Sequence, residues 1–102
     1  MNTDTQDIAA QFYPQIYTIV RRHFPQARIY LFGSRATHKN RPGSDIDIAI
    51  DNGSTVDFAT LLKVWGELDE SNIPYKVDLV DLQASSESFR QEIFKKGVLW
   101  NF

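Results

Sequence analysis

Asp45 and Asp47 stand two residues apart in Ser44-Asp45-Ile46-Asp47-Ile48-Ala49-Ile50-Asp51, a segment in which aspartate and isoleucine alternate. On an extended chain every second side chain leaves the same face, so both carboxylates point one way from backbone positions about 7 Å apart. Two converging anions repel unless a positive charge lies between them. Hard divalent cations such as magnesium are held by one or two carboxylates together with substrate phosphates, and this pair offers that arrangement. A third carboxylate, Asp78, lies in the apolar run Lys76-Val77-Asp78-Leu79. If that run is a neighbouring strand, Asp78 can bridge metals or take a proton. Upstream, Gly33-Ser34 follows Ile29-Tyr30-Leu31-Phe32, where glycine lets the backbone approach a phosphate with free amides pointing outward. Phosphates at Gly33-Ser34 and metals at Asp45 and Asp47 make a two-metal site for phosphoryl or nucleotidyl transfer. The chain's task in such a site is positioning and charge neutralisation.

The elements that must hold these residues follow from periodicity. Ile8, Phe12, Ile16, Ile19, Val20 and Phe24 recur at steps of three and four, which predicts a helix that Pro14 kinks or opens and Pro25 ends. Ile29–Phe32 reads as a buried strand entering a tight turn at Gly33, and Ser34–Gly43 as a helical turn followed by an exposed basic loop. Asp45–Asp51 is the second strand, with Ile46, Ile48 and Ile50 on one face and the aspartates and Ala49 on the other. Asp51-Asn52-Gly53 turns the chain into a second amphipathic helix marked by Phe58, Leu61, Leu62, Trp65 and Leu68, with Ser54 or Thr55 as its expected cap. Tyr75–Leu82 is the third strand. Ser85 and Ser86 are cap candidates for a last helix carrying Phe89, Ile93 and Phe94 and ending at Gly97. This order predicts an α/β (α+β) fold, helices packed on a small mixed sheet, as one domain over residues 1–102.

Length and composition narrow the function. At 102 residues the chain has room for about one domain, so a missing substrate-binding part must come from a partner. A net charge of -2 excludes the broad positive field of a general nucleic-acid binder. The absence of cysteine excludes disulfides, thiolate zinc sites and a cysteine nucleophile together, and suits a reducing cytoplasm. Met1–Asp7 is polar and acidic, and no apolar run approaches a membrane span.

Competing roles for the same residues are weaker. A calcium loop needs another Asp or Asn at position 49 and glycine at 50, where Ala49 and Ile50 stand. Asp51 and Asp81 read as strand-end or capping residues, His23 as structural and His38 as a solvated loop residue. Arg35 and Arg41 flank the proposed cradle with guanidinium groups suited to phosphate oxygens. Val98, Leu99, Trp100 and Phe102 form an apolar end that either closes the core or meets a partner.

Gly33-Ser34, ten residues, Asp45-Ile46-Asp47 and a strand-borne Asp78 together resemble the DNA polymerase β nucleotidyltransferase superfamily. The stretches Gly33-Ser34-Arg35-Ala36 and Arg41-Pro42-Gly43-Ser44-Asp45 are similar to its minimal nucleotidyltransferases, the MNT proteins. The resemblance covers nearly the whole chain and implies the polymerase β-like fold. It also implies two magnesium ions on Asp45, Asp47 and Asp78, with Asp78 as general base or further ligand, and ATP or another nucleoside triphosphate as donor. The phosphate-binding set would be Gly33, Ser34, Arg35 and Ser44. The pattern departs at His38, where such proteins often carry glycine. The resemblance further implies an all-helical HEPN protein as partner, in a toxin–antitoxin pair in which AMP is transferred to the toxin. Two other functions fit the same residues: a silent binding module that neutralises its partner by occlusion, and a nucleotidyltransferase acting on small molecules.

Overall fold

The computed structural model describes residues 8–102, so the polar stretch Met1–Asp7 lies outside the described residues. Four strands, β1 (Arg28–Phe32), β2 (Ile46–Asp51), β3 (Val77–Asp81) and β4 (Val98–Leu99), form one mixed sheet in the order β3-β2-β1-β4. β1 pairs antiparallel with β2 and β4, and β2 pairs parallel with β3. A parallel neighbour needs a crossover rather than a hairpin. Helix α2 (Phe58–Glu70) supplies it, while α1 (Tyr13–His23) precedes the sheet and α3 (Glu87–Lys96) links β3 to β4.

The alternation in β2 divides the core between two faces. Ile46, Ile48 and Ile50 are fully buried with Ile29 and Leu31 against Ile16 and Val20 of α1 and Leu61 and Val64 of α2. On the opposite face Ala49 packs with Leu82 and with Ile93 of α3, bordered by Tyr30, Phe32 and Phe89. Two helices therefore cover one face and one helix part of the other. Asp47 shares the second face with Ala49 but is only half-buried. The expected fold class is the observed one.

Several local expectations are corrected. The predicted helix from Ile8 to Phe24 is a 3-10 segment, Ile8–Phe12, followed by α1 with Pro14 in its first turn. Proline has no amide proton to donate to a preceding turn, so the regular α-helical ladder starts there. Neither Ser54 nor Thr55 caps α2. Asp81 Oδ2 accepts the Val56 amide at 2.9 Å, pinning the approach, and Asp57 Oδ2 caps the helix by accepting the Thr60 amide at 3.3 Å. β3 is shorter than Tyr75–Leu82: Tyr75 turns its ring toward Phe12, and Asp81 accepts the Gln83 amide at 3.1 Å, turning the chain at Leu82. The apolar end divides. Trp100 is buried against Tyr13, with ring centroids 4.9 Å apart, whereas Val98, Leu99 and Phe102 are exposed and the first two form β4.

Candidate active site

The register of the sheet brings the motif residues together. Asp47 lies opposite Asp78 in the parallel β2–β3 pair and opposite Phe32 in the antiparallel β1–β2 pair. Directly opposed residues share a face, so Asp47 and Asp78 stand side by side, with strands about 5 Å apart. Asp45 precedes β2 and is exposed. Burial first, then the charges of Asp78 and Asp45, push the Asp47 carboxyl up to about 6, against opposing pulls from Arg35 and Lys76. Asp47 thus feels the repulsion of both other carboxylates more strongly than the attraction of Arg35 and Lys76.

Gly33 opens the turn Gly33–Arg35 with φ +75°, the left-handed region that favours glycine. A Cβ at Gly33 would collide with Asp47 Oδ2. Glycine is therefore required twice, by its backbone and by the carboxylate it adjoins. The Ala36 amide returns to the Gly33 carbonyl at 3.1 Å, and the Lys39 amide to the Ser34 carbonyl at 2.8 Å. The second bond closes a Schellman-like reversal through His38, whose φ is 61°. A left-handed residue at this point explains why glycine suits it, and histidine is among the side chains that tolerate it.

Arg35 does not face outward as a surface arginine. It is 4% exposed, with Nη2 donating to the Ser44 carbonyl at 2.7 Å and Nε to the Asp45 carbonyl at 3.2 Å, and its guanidinium carbon lies 5.1 Å from the centre of the Tyr75 ring. Its visible work is to brace the loop that delivers Asp45. Ser44 acts in the same loop, its hydroxyl accepting the Arg41 amide at 2.9 Å, while Arg41 is exposed. Asp51 accepts the Gly53 backbone amide and the Gln83 side-chain amide, and Asp81 accepts the backbone amides of Val56 and Gln83, so both carboxylates are engaged in holding loops. Sequence reasoning missed Lys76, whose Nζ is 3.7 Å from Asp78 Oδ1; its position two residues before Asp78 on an extended chain was the available signal. The contact between Tyr75 and Arg35 joins residues forty apart and had none.

Beside the carboxylates a groove of about 1140 Å³ runs along β3, lined by Asp47, Asp78, Phe32, Trp65, Tyr75 and Phe89 among others. The Trp65 indole donates to the Leu79 carbonyl at 3.0 Å, capping an outward-facing acceptor of this edge strand. Among the described residues no three His, Cys, Asp or Glu side chains converge as a ready-made ion cage. The donor set nevertheless fits magnesium, which retains waters and takes only one or two carboxylates plus substrate phosphates. Among the described residues no helix is long and apolar enough to cross a membrane.

Residues 14–100 match the family described as Polymerase beta, Nucleotidyltransferase. The chain belongs to that family. As a polymerase beta nucleotidyltransferase it is an enzyme whose chemistry moves a nucleoside monophosphate. It is 34% identical over 93 residues to a Haemophilus influenzae protein named "Probable protein adenylyltransferase MntA", covering 91% of this chain and 82% of the relative. It is also similar to a crystal structure of a toxin-antitoxin with AMP-PNP, at TM-score 0.73 and 32% identity over 87% of this chain and 73% of the other. A third likeness is to a Shewanella oneidensis structure described as a tri-AMPylated HEPN toxin in complex with MNT antitoxin, at TM-score 0.62 and 29% identity over 93% of this chain and 74% of that one.

Proposed function

We propose that this chain transfers AMP from ATP to a hydroxyl of a HEPN toxin and so acts as its antitoxin. The observation that carries the reading is the in-register pair Asp47 and Asp78 lining the groove, with Gly33 packed against Asp47. The adenylyltransferase relative and the AMPylated HEPN complex support the donor and the partner.

Asp45 and Asp47 are the residues that would hold the two magnesium ions, with Asp78 completing the set. Magnesium, when bound, neutralises the triphosphate and favours departure of pyrophosphate. Gly33 and Ser34 present their turn to the β- and γ-phosphates. Arg35 and Ser44, which this chain uses to hold the Asp45 loop, act on the phosphates by fixing that loop. Asp78 accepts the proton of the attacking hydroxyl, whose oxygen bonds to the α-phosphorus as the bond to the β-phosphate oxygen breaks. The product is an AMP ester, with pyrophosphate as leaving group.

Intact-mass spectrometry of the chain with its co-purifying partner, magnesium and the four nucleoside triphosphates tests this directly. Addition of AMP to the partner is expected, at substoichiometric amounts of this chain. It should vanish with Asp47→Asn while the circular-dichroism spectrum is retained. Transfer by Asp47→Asn at the parent rate overturns the assignment, and inhibition of the toxin only at one-to-one ratios, without any mass change, moves the function to occlusion.

A further inference from the structure

The register of the sheet sets Phe32, Asp47 and Asp78 opposite one another, one residue from each of β1, β2 and β3. Gly33 follows Phe32, so the Gly33 turn stands at the β1 end of this row and Asp78 at the β3 end. In an in-line displacement the attacking oxygen and the departing pyrophosphate lie on opposite sides of the α-phosphorus. The acceptor therefore approaches from β3. That strand ends the sheet, with none beyond it among the described residues, and its Val77, Asp78 and Leu79 line the groove.

The main chain of this edge is only partly capped. The Ile46 amide donates to the Lys76 carbonyl at 2.9 Å, which turns the main-chain groups of Lys76, Asp78 and Val80 toward β2 and those of Val77, Leu79 and Asp81 away from it. Side chains occupy two of the outward carbonyls: Trp65 Nε1 donates to that of Leu79 and Ser85 Oγ to that of Asp81, each at 3.0 Å. Among the described residues nothing pairs with the amide or carbonyl of Val77 or with the amide of Leu79. Such groups accept another extended chain. An antiparallel segment can exchange both bonds with Val77 and take one more from the Leu79 amide. Its intervening residue then stands opposite Asp78, on the same face and about 5 Å further along the row. The residues on either side turn to the other face, toward Trp65 and Leu62 in the groove wall.

We propose that an extended segment of the acceptor protein adds to β3 as a further antiparallel strand, its main chain paired with Val77 and its hydroxyl-bearing residue opposite Asp78. The inference rests on the nucleotidyl-transfer reading above and specifies how the substrate of that site is held. Trp65 and Ser85 end the ladder at Leu79, so a short segment fills it.

The test uses the chain with its co-purifying partner. Val77→Pro removes the outward amide without breaking a bond to β2, at the first residue of the strand, where proline is tolerated. It should raise the KM for partner modification roughly three- to tenfold, the size of a lost main-chain hydrogen bond, with ATP affinity kept within twofold. Val77→Thr, which restores the amide beside a branched side chain, should return KM to the parent value. Residue-resolved hydrogen exchange on the parent needs no variant: partner binding should slow the Val77 and Leu79 amides about tenfold or more, and AMP-PNP alone should not. A parent KM in a folded Val77→Pro variant, amides that exchange equally fast with and without partner, or equal protection by AMP-PNP alone each overturns strand addition, while AMP transfer by the parent leaves the function intact. A parent chain that modifies no partner overturns both.

Discussion

In its proposed role Asp47 stands between two demands: it must be ionised to hold a cation, yet its surroundings resist ionisation. A folded-state pKa near 6 against an ordinary 3.8 means that the native state binds the proton more tightly than the unfolded chain. The stability this confers is fully present below 3.8 and is lost as pH climbs through about 6. Without divalent cations, Asp47→Asn should therefore melt above the parent by a margin that grows from about pH 4.5 to about pH 7.5, and millimolar magnesium should shrink that margin. A margin independent of pH would count against the electrostatic account. Gly33→Ala meets both the left-handed backbone and Asp47 Oδ2, and is expected to cost about 1–2 kcal/mol in denaturant unfolding together with most triphosphate binding. At this scale the sequence was most informative, because a two-residue spacing on a strand and a glycine after one are local facts. Arg35 was less legible. Arginine next to a phosphate motif reads as a phosphate contact, and only the tertiary fold reveals carbonyls at 2.7 and 3.2 Å beneath it.

The elements appear where periodicity predicts them, and the errors concentrate at their ends. The start of α2 depends on Asp81, twenty-five residues from Val56, so Ser54 and Thr55 could not be excluded from local chemistry alone. Asp57→Ala should cost about 1 kcal/mol in chemical denaturation and leave transfer unchanged, whereas Ser54→Ala and Thr55→Ala should be neutral. β2 is the element on which the site depends. Its three buried isoleucines fix the register that sets Asp47 beside Asp78, and a one-residue slip would turn both motif aspartates into the core. The two-residue β4 escaped prediction because such a short segment has no period, and its strand character comes from pairing with Tyr30 and Leu31.

The described residues make a sheet closed by helices on one face and partly open on the other, with the carboxylates at the opening. With a net charge of -2 and an acidic site, the chain is expected to bind nucleic acid weakly there. A labelled DNA or RNA oligonucleotide should show no anisotropy change with micromolar protein at about 150 mM salt, and saturable binding under those conditions would refute this. Trp65, hydrogen-bonded to the strand that carries Asp78, and Trp100, packed on Tyr13 beyond β4, are the chain's two tryptophans. They lie toward opposite edges of the sheet, one lining the groove and one closed into the core. The chain thus carries two built-in optical probes. Fluorescence of a Trp100→Phe variant, emitted by Trp65, follows occupation of the groove, and that of Trp65→Phe, emitted by Trp100, follows global unfolding, so occupancy and stability can be read separately without a label.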